Sequence, residues 1–427
     1  VRRYVSVTRA LRPGRTALKE AHARIRWPLA LALVSLFAAS LAPAVEIDPS
    51  GQVARMPPIS DHWVFVPDRL LQHSFVFDGD SGALLGTIPS GGTLTPKLPL
   101  VSRSRGEIYS VDVDYSRGTR GERTDYVTVY DAETLDVRTD IVLGVPVSES
   151  NTSLHHATLL DDDRFLAIFS QFPDTLAIIV DLDARAVVAT VPIAGCAGLY
   201  ATGARHFATL CGDGTTVHVS LAEDGTVGSI ERSARFFDVV EDPVSMVGVR
   251  SGTMWLFVSF LGQVHTIDFT SEGPDVRATW SLVSGPEKEA GWRPGGLQPH
   301  ALHAGTNRLY VLMHEGGPGS HKDASPEVWV FDVESQDRLA RFDVPNLAAE
   351  FLGPMFGVSP GSLGHSLLGW LVPNEGAHAL VVSQDESPLL FTRYSDYGVI
   401  AVLDPATGEP VRTLSEAGLT GPALGVP

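Results

Sequence analysis

The chain has 427 residues, of which 44% are hydrophobic and 19% are charged. This balance provides apolar material for a sizeable core and excludes intrinsic disorder as the main state. The formal net charge of −18 argues against nucleic acid as a partner, because nucleic-acid binding needs a basic surface that releases phosphate counterions.

Residues 1–44 have the layout of a secretory signal peptide. An apolar run, WPLALALVSLFAASLA at 27–42, follows Arg24 and Arg26 and leads to a small-residue cleavage motif that ends at Ala44. The run is shorter than the ~20 residues of a membrane-spanning helix, so we prefer a cleaved signal peptide to a membrane anchor. The leader holds eight Lys/Arg and one acidic residue, so its removal would take the net charge from −18 to −25.

A β-hairpin pattern recurs after residue 60. Each copy is an apolar run, an Asp, a short turn and a second apolar run. The copies lie at 75–88, 127–141, 177–191, 217–230, 264–280, 328–342 and 400–414. The marker residues are Asp78, Asp131, Asp181, Asp268, Asp332 and Asp404, with Leu221 in the degenerate fourth copy. Further β-type runs precede most copies, and a repeating unit of about four strands is typical of a β-propeller.

We therefore predict that residues 45–427 form an all-β fold, a seven-bladed β-propeller of four-stranded antiparallel blades. A β-sandwich also contains hairpins with Asp turns, but seven hairpins at this spacing argue against it. No segment beyond the leader keeps a 3.6-residue apolar period, so we expect few helices.

Cys196 and Cys211 are the only cysteines and lie fifteen residues apart. In an exported protein such a pair is expected to form a disulfide, which would contribute roughly 3 kcal/mol. The alternative is a redox-active or metal-binding pair, but the chain has neither a CxxC motif nor a flanking set of His ligands. We predict a structural disulfide.

The spacing between copies widens between Asp332 and Asp404, and the excess falls in 345–377. This Gly- and Pro-rich segment is interpreted as an insertion loop that projects from one face. Two alternatives remain open: its large apolar residues form an exposed contact patch, or they fold back over the propeller as a lid. These residues are Phe351, Met355, Phe356, Leu367, Leu368 and Trp370.

Most catalytic motifs are absent. The sequence has no nucleophile elbow, P-loop, zincin motif or dinucleotide-binding fingerprint. We assign no catalytic, cofactor-binding or metal-binding residue to this chain. His155 and His156 would point to opposite faces of a strand, which argues against a shared metal. The acidic run 161–163 is better explained as a polar hairpin turn than as a calcium cluster.

Two other clusters are ambiguous. Asn151 begins a glycosylation sequon by pattern alone. Arg117, Arg120 and Arg123 form a small basic cluster on an otherwise acidic chain. This cluster is either a site that positions a carboxylate across an interface or a solvated loop.

Several segments, in one order, resemble the large subunit of the methylamine dehydrogenase and aromatic amine dehydrogenase family. They are RGERTDYV at 120–127 with VYDAETL after it, EAGWRPGG at 289–296, HKDAS at 321–325 with VWVFDVESQDRLARF, and VSQDESPLL at 382–390. Cys196 and Cys211 stand where that subunit's disulfide is expected. The similarity extends from about Phe75 to Leu414.

The resemblance implies a periplasmic seven-bladed propeller in a heterotetramer of two large and two small subunits. The small, disulfide-dense subunit would carry tryptophan tryptophylquinone, made from two of its own tryptophans, and the catalytic base. Such an enzyme oxidises a primary amine to aldehyde and ammonia and passes electrons to a blue copper protein such as amicyanin or azurin. The present chain would then be the large, non-catalytic scaffold and channel wall, with no cofactor of its own.

Two features depart from that family. The stretch VPDRLLQHSFVF at 66–77 is shortened, so the family's channel-lining Phe is not assigned to a residue here. The insertion 345–377 has no recognised counterpart. Two other functions remain: a propeller that binds a partner or ligand without amine oxidation, with 345–377 as the contact, and a lactonase-type hydrolase. The hydrolase needs acidic and Asn ligands around a central calcium, whereas the marker Asp residues lie in hairpin turns.

Overall fold

Seven antiparallel sheets follow one another along the chain, as predicted for a seven-bladed β-propeller. The computed structural model describes residues 55–90, 97–149, 153–270, 273–359, 361–418, 421 and 423–427. The signal peptide predicted at 1–44 and the sequon at Asn151 lie outside the described residues. Four of the sheets have four strands in sequential order, which is the blade architecture expected from the repeats.

The first four blades contain β1 to β15. Blade 1 comprises β1 (Trp63–Asp68), β2 (His73–Asp78) and β3 (Leu84–Pro89). Blade 2 comprises β4 (Leu100–Ser102), β5 (Glu107–Tyr115), β6 (Arg123–Asp131) and β7 (Val137–Val142). Blade 3 comprises β8 (Ala157–Leu160), β9 (Phe165–Ser170), β10 (Leu176–Asp181) and β11 (Ala186–Pro192). Blade 4 comprises β12 (Cys196–Gly203), β13 (His206–Cys211), β14 (Thr216–Leu221) and β15 (Val227–Arg232).

The last three blades contain β16 to β29. Blade 5 comprises β16 (Val244–Ser251), β17 (Met254–Ser259), β18 (Gln263–Thr270), β19 (Gly273–Val276) and β20 (Trp280–Ser281). Blade 6 comprises β21 (Trp292–Pro294), β22 (His300–His303), β23 (Arg308–Glu315), β24 (Glu327–Asp332) and β25 (Arg338–Asp343). Blade 7 comprises β26 (Ala379–Val382), β27 (Leu390–Arg393), β28 (Val399–Leu403) and β29 (Pro410–Ser415). The fifth strand in blades 5 and 6 arises because two short strands pair with the same neighbour.

The marker Asp residues repeat because they build the same local turn. In the first copy Asp78 accepts hydrogen bonds from the backbone N–H groups of Asp80 and Ser81. The corresponding carboxylates make the same pair of bonds in the second, third, sixth and seventh copies. Asp side chains favour such turns because they hydrogen-bond to backbone two and three residues further on. In the fifth copy Asp268 instead accepts from the Thr253 hydroxyl at 2.6 Å.

The core is divided among the contacts between blades. Seven clusters of buried apolar residues are present, and each joins the facing strands of two neighbouring blades. One of them joins blade 7 to blade 1 and includes Ala417 and Leu424 from the C-terminal segment. The stacking of blades therefore continues around a closed ring.

The chain path gives the ring two unlike faces. Because neighbouring strands are antiparallel, the loops between the second and third strands of a blade lie on the same face as the connections between blades. We call this the crossover face. Its intra-blade loops are 69–72, 116–122, 171–175, 212–215, 260–262, 316–326 and 394–398. The opposite face carries the marker turns, and we call it the turn face.

The segment 345–377, interpreted from the sequence as an insertion loop, is partly helical. It contains two helices, which we call α2 (Leu347–Met355) and α3 (Leu363–Leu371) after the short helix α1 (Gly285–Glu289) in the connection to blade 6. Asn346 and Ser362 cap α2 and α3 through hydrogen bonds from backbone N–H groups. Elsewhere helices are few, as predicted. Among the described residues no helix has both the length and the apolar character that a membrane span requires.

Candidate functional site

In the described part of the chain, exposed large apolar side chains occur in two places: on the outermost strands of the blades and on the crossover face. The crossover-face residues are Leu70, Leu71, Phe172, Val240, Met246, Leu297, Met355, Phe356, Leu363, Leu367, Trp370 and Leu371. A face of this kind is typical of a protein-contact surface.

The turn face has the opposite character. Its turns are linked by ion pairs between blades, such as Arg185 with Glu107 at 2.5 Å and Arg205 with Asp161 at 3.3 Å. Asp163 at the same turn accepts hydrogen bonds from two serine hydroxyls of blade 2. The acidic run 161–163 therefore forms a polar hairpin turn, as predicted, and its carboxylates face different partners.

A cavity of about 190 Å³ opens between blades 5 and 6 on the crossover face. Phe260 and His321 line it with stacked rings, 3.9 Å between centroids and 8° between planes. Pro294, Gly296 and Leu297 form the adjacent wall. The segments EAGWRPGG and HKDAS, at the two ends of the β21–β23 part of blade 6, thus meet at one site. The pocket is apolar and aromatic, with Lys322 among its lining residues.

Gly296 lets the wall of this cavity approach blade 7 closely. Its φ is +114°, and a Cβ at this position would lie 2.6 Å from the carbonyl oxygen of His378. The next two N–H groups, of Leu297 and Gln298, both donate to that oxygen at 2.8 and 2.9 Å. A side chain at this glycine would separate the two segments.

A second cavity, of about 390 Å³, lies next to the disulfide on the same face. Cys196 and Cys211 are joined as predicted, at the first residue pair between β12 and β13. Met246 borders both cavities, so the two openings adjoin. The bridge fixes a wall of this surface in addition to joining two strands.

The arginine cluster divides into two kinds of residue. Arg123 donates to both oxygens of Asp125 at 2.7 and 2.8 Å and to Glu149 at 2.7 Å. Asp125 is buried, so Arg123 stabilises the blade internally and is not available to a partner carboxylate. Arg117 and Arg120 are exposed in the 116–122 loop.

His155 and His156 lie in a 3-10 turn before β8, not on a strand as expected. His155 Nε2 contacts the backbone of Gly248, and His156 Nδ1 lies 3.1 Å from the carbonyl oxygen of Ser153. Burial lowers the pKa of His156 to about 3, and it does the same for His300 at the start of β22. Both rings are therefore neutral at physiological pH. In the residues that the structure describes, no three His, Cys, Asp or Glu side chains form a group that could hold a metal.

Sequence reasoning did not identify Phe260 and Met246, which line the cavities. Phe260 lies in a short loop, and Met246 lies near the start of β16. The sequence signal at Phe260 is a large apolar residue where a polar turn residue is usual, as in SFLGQ. The local sequence does not indicate which loops become neighbours, because their neighbours depend on how the blades are arranged in the ring.

Comparison with known proteins agrees with the segments noted in the sequence. A family model described as methylamine dehydrogenase heavy chain (MADH) matches residues 63–349. The methylamine dehydrogenase heavy chain of Paracoccus versutus is 26% identical over 355 residues, which is 83% of this chain and 75% of the relative. That of Methylorubrum extorquens is 24% identical over 418 residues, which is 96% of this chain and 91% of the relative.

Among solved structures, the β-propeller domain of Cps50 (Swd1) from Myceliophteria thermophila is similar at a TM-score of 0.51 and 10% identity, covering 82% of this chain and 96% of that domain. This likeness concerns the fold alone. The family-model match covers more than half of the chain and includes the segments at 120–127, 289–296 and 321–325. The chain belongs to the methylamine dehydrogenase heavy chain family.

Proposed function

We propose that this chain is the large, non-catalytic subunit of a periplasmic, tryptophan tryptophylquinone-dependent amine dehydrogenase. Its crossover face would hold a small subunit that carries the quinone and the catalytic base, in a complex of two large and two small chains. The proposal rests on one observation: in this member of the heavy-chain family, exposed apolar residues and two adjoining cavities lie together on the crossover face. Apolar and aromatic groups of this kind form the centre of stable interfaces.

Trp292 and Trp329, a pair of neighbouring tryptophans in the described part of the chain, do not fit a quinone centre. Trp292 and Trp329 are neighbours, with ring centroids 5.1 Å apart. Trp329 is fully buried, and the Arg341 guanidinium lies over both rings at 4.4 and 4.8 Å. A substrate could not reach a carbonyl on such a ring. This supports placing the cofactor on the small subunit, where it would supply the two-electron oxidation of the amine.

This chain would contribute by positioning the small subunit and by excluding water from the contact between the two subunits. A ring of blades locked by inter-blade cores keeps the loops of the crossover face at fixed separations. Rigid support of this kind holds a partner's reacting groups in a productive geometry. A primary amine would reach the partner's active site along the contact between the two subunits. Electrons would then pass singly to a blue copper protein such as amicyanin or azurin.

Expression of this chain together with its neighbouring genes tests the proposal. We expect export to the periplasm, co-purification of both chains, and a near-ultraviolet and blue absorption that bleaches when a primary amine is added. The large subunit alone should show neither the absorption nor the bleaching. Recovery of the large chain without a partner, or a complex that no primary amine bleaches, would contradict the assignment and favour a propeller that binds partners without amine oxidation.

A further inference from the structure

The helices α2 and α3 form a hairpin with one side attached to the propeller and one side exposed. On the attached side Leu347 and Ala349 are buried, and Phe351 stacks on Tyr397 of blade 7 at 5.5 Å with 20° between the ring planes. On the other side α3 has no buried residue. The exposed side chains, with their exposed fractions, are Met355 68%, Phe356 70%, Leu363 91%, Leu367 56%, Trp370 79% and Leu371 62%. The sequence left two alternatives, a lid over the propeller and an exposed contact patch. The attached side of the hairpin corresponds to the lid, and its exposed side corresponds to the contact patch.

The hairpin is held in shape by its own hydrogen bonds. The Asn346 side chain accepts from the N–H of Ala349 and donates to the carbonyl oxygen of Val372 at 2.7 Å, which ties the start of α2 to the end of α3. Asn374 donates to Val344 at 2.7 Å across the base. Between the helices, His365 Nε2 lies 3.1 Å from Glu350 Oε1. A surface that is ordered before binding loses less conformational entropy when a partner docks.

The base of the hairpin is continuous with the cavity between blades 5 and 6. Ala377 and Ser325, the last residue of HKDAS, exchange two backbone hydrogen bonds of 2.9 Å. The next residue, His378, accepts from the N–H of Leu297, which lines the cavity. The exposed side of the hairpin therefore extends the apolar surface of the crossover face beyond the ring.

We propose that the α2–α3 hairpin is an arm that binds the small subunit through its exposed apolar side. This inference rests on the proposed function, since it takes the same small subunit as the occupant. The family-model match ends at residue 349, inside α2. The cavity between blades 5 and 6 lies within the matched region, whereas most of the arm lies beyond it. The arm thus enlarges the contact surface that the cavity begins.

The charge of the hairpin argues for a protein partner and against a membrane surface. From Leu347 to Leu371 the only titratable residues are Glu350 and His365, and the chain has no Lys or Arg between Arg341 and Arg393. Helices that lie on membranes usually carry Lys and Arg on the polar face, and anionic lipids attract basic segments. A neutral to acidic apolar arm on a chain with a net charge of −18 lacks that attraction.

The test compares the arm with exposed apolar residues elsewhere on the propeller. The arm variant is Leu367→Ser/Trp370→Ser, and the matched control is Val137→Ser/Ile230→Ser, whose side chains are 56% and 53% exposed on outermost strands. The dissociation constant of the co-expressed small subunit is measured for wild type and both variants, after thermal unfolding has shown that each is folded. We expect at least a tenfold weaker complex for the arm variant, about 1.4 kcal/mol, and no change for the control.

The possible results separate this inference from the proposed function. If the wild-type chain binds an amine-bleachable small subunit and the arm variant binds it equally well, the arm inference is wrong and the proposed function stands. If the arm variant alone changes the oligomeric state of the large chain in the absence of the small subunit, the occupant is a second copy and the inference is wrong. If wild type, but not the arm variant, binds vesicles of neutral and anionic lipid, the occupant is a membrane and the inference is also wrong. A wild-type chain that binds no small subunit contradicts both proposals.

Discussion

Phe65 and Gly425 exchange two backbone hydrogen bonds, of 2.8 and 3.0 Å, and so join the first strand of the propeller to the end of the chain. Blade 1 has only three strands of its own. The C-terminal segment lies beside β1, where the other blades have their innermost strand. The two ends of the described chain thus close the ring, and we expect its stability to depend on this contact.

The closure predicts a specific sensitivity at the C-terminal end. Leu424 is fully buried in the apolar cluster between blades 7 and 1. We expect Leu424→Ala to lower the free energy of unfolding by about 2–5 kcal/mol, because it removes buried methyl groups and leaves a cavity. Val411→Ala, at a side chain 47% exposed on β29, serves as the control and should change stability by less than about 0.5 kcal/mol. Equal effects in denaturant unfolding would mean that the C-terminal segment does not close the ring.

The division of the arginine cluster gives a second prediction. Arg123→Ala would leave the buried Asp125 carboxylate without its bidentate partner, so we expect a loss of about 3 kcal/mol in the free energy of unfolding. Arg123→Lys should recover only part of it, because an ammonium group cannot reproduce the two parallel hydrogen bonds. Arg120→Ala, at an exposed side chain in the adjacent 116–122 loop, should be nearly neutral. If all three variants unfold at the same denaturant concentration, Arg123 has no structural role.

Local chemistry explains which parts of the fold were predictable from sequence. The marker Asp residues identify the blades because most of their carboxylates accept hydrogen bonds from N–H groups two and three residues away. A turn of this kind depends on only a few consecutive residues. The disulfide was predictable because the chain has one cysteine pair. Contacts that depend on the ring, such as Phe260 on His321, leave no such local sign.

The local sequence does not predict the α2–α3 hairpin, because it contains residues that disfavour helices. Gly353, Pro354 and Gly364 interrupt its sequence, and residues of this kind normally end helices. Its helices are short and are maintained by caps and by packing on blade 7, so tertiary contacts override weak local preference. The caps Asn346 and Ser362 were the available signal.

The disulfide gives a third prediction. Cys196→Ala/Cys211→Ala should lower the free energy of unfolding by about 3 kcal/mol, because the bridge no longer restricts the unfolded chain. Denaturant midpoints are compared with and without reductant. The reductant should destabilise wild type and leave the double variant unchanged, since the chain has no other cysteine. A wild-type midpoint that does not move once the bridge is shown to be reduced would contradict this account.

The acidic surface gives a fourth prediction, which depends on the proposed function. With the leader removed, the chain would carry a net charge of −25, and such a charge attracts ammonium substrates toward the complex. Salt shortens the range of this attraction to about 8–10 Å near physiological ionic strength. We expect kcat/KM of the assembled enzyme for a cationic primary amine to fall as ionic strength rises, with sodium chloride and sodium sulfate agreeing at equal ionic strength. A constant kcat/KM would exclude electrostatic steering.

The buried histidines predict how stability depends on pH. Burial lowers the pKa of His156 and of His300 to about 3, whereas in the unfolded chain the value is near 6.5. The unfolded state therefore binds more protons below pH 6.5, and stability must fall as the pH drops from 6.5 toward 3. Each residue should cost about 2 kcal/mol between pH 6.5 and 5. His156→Asn retains a group that can donate to the Ser153 carbonyl but cannot titrate, so it should remove only its own share, about 2 kcal/mol, because burial also lowers the pKa of His155 and of His300. His206→Gln, at an exposed ring, controls for the loss of a histidine. The free energy of unfolding in denaturant at pH 7 and pH 5 measures the effect, and a His156→Asn protein that loses as much stability as wild type would show that His156 is protonated in the folded chain.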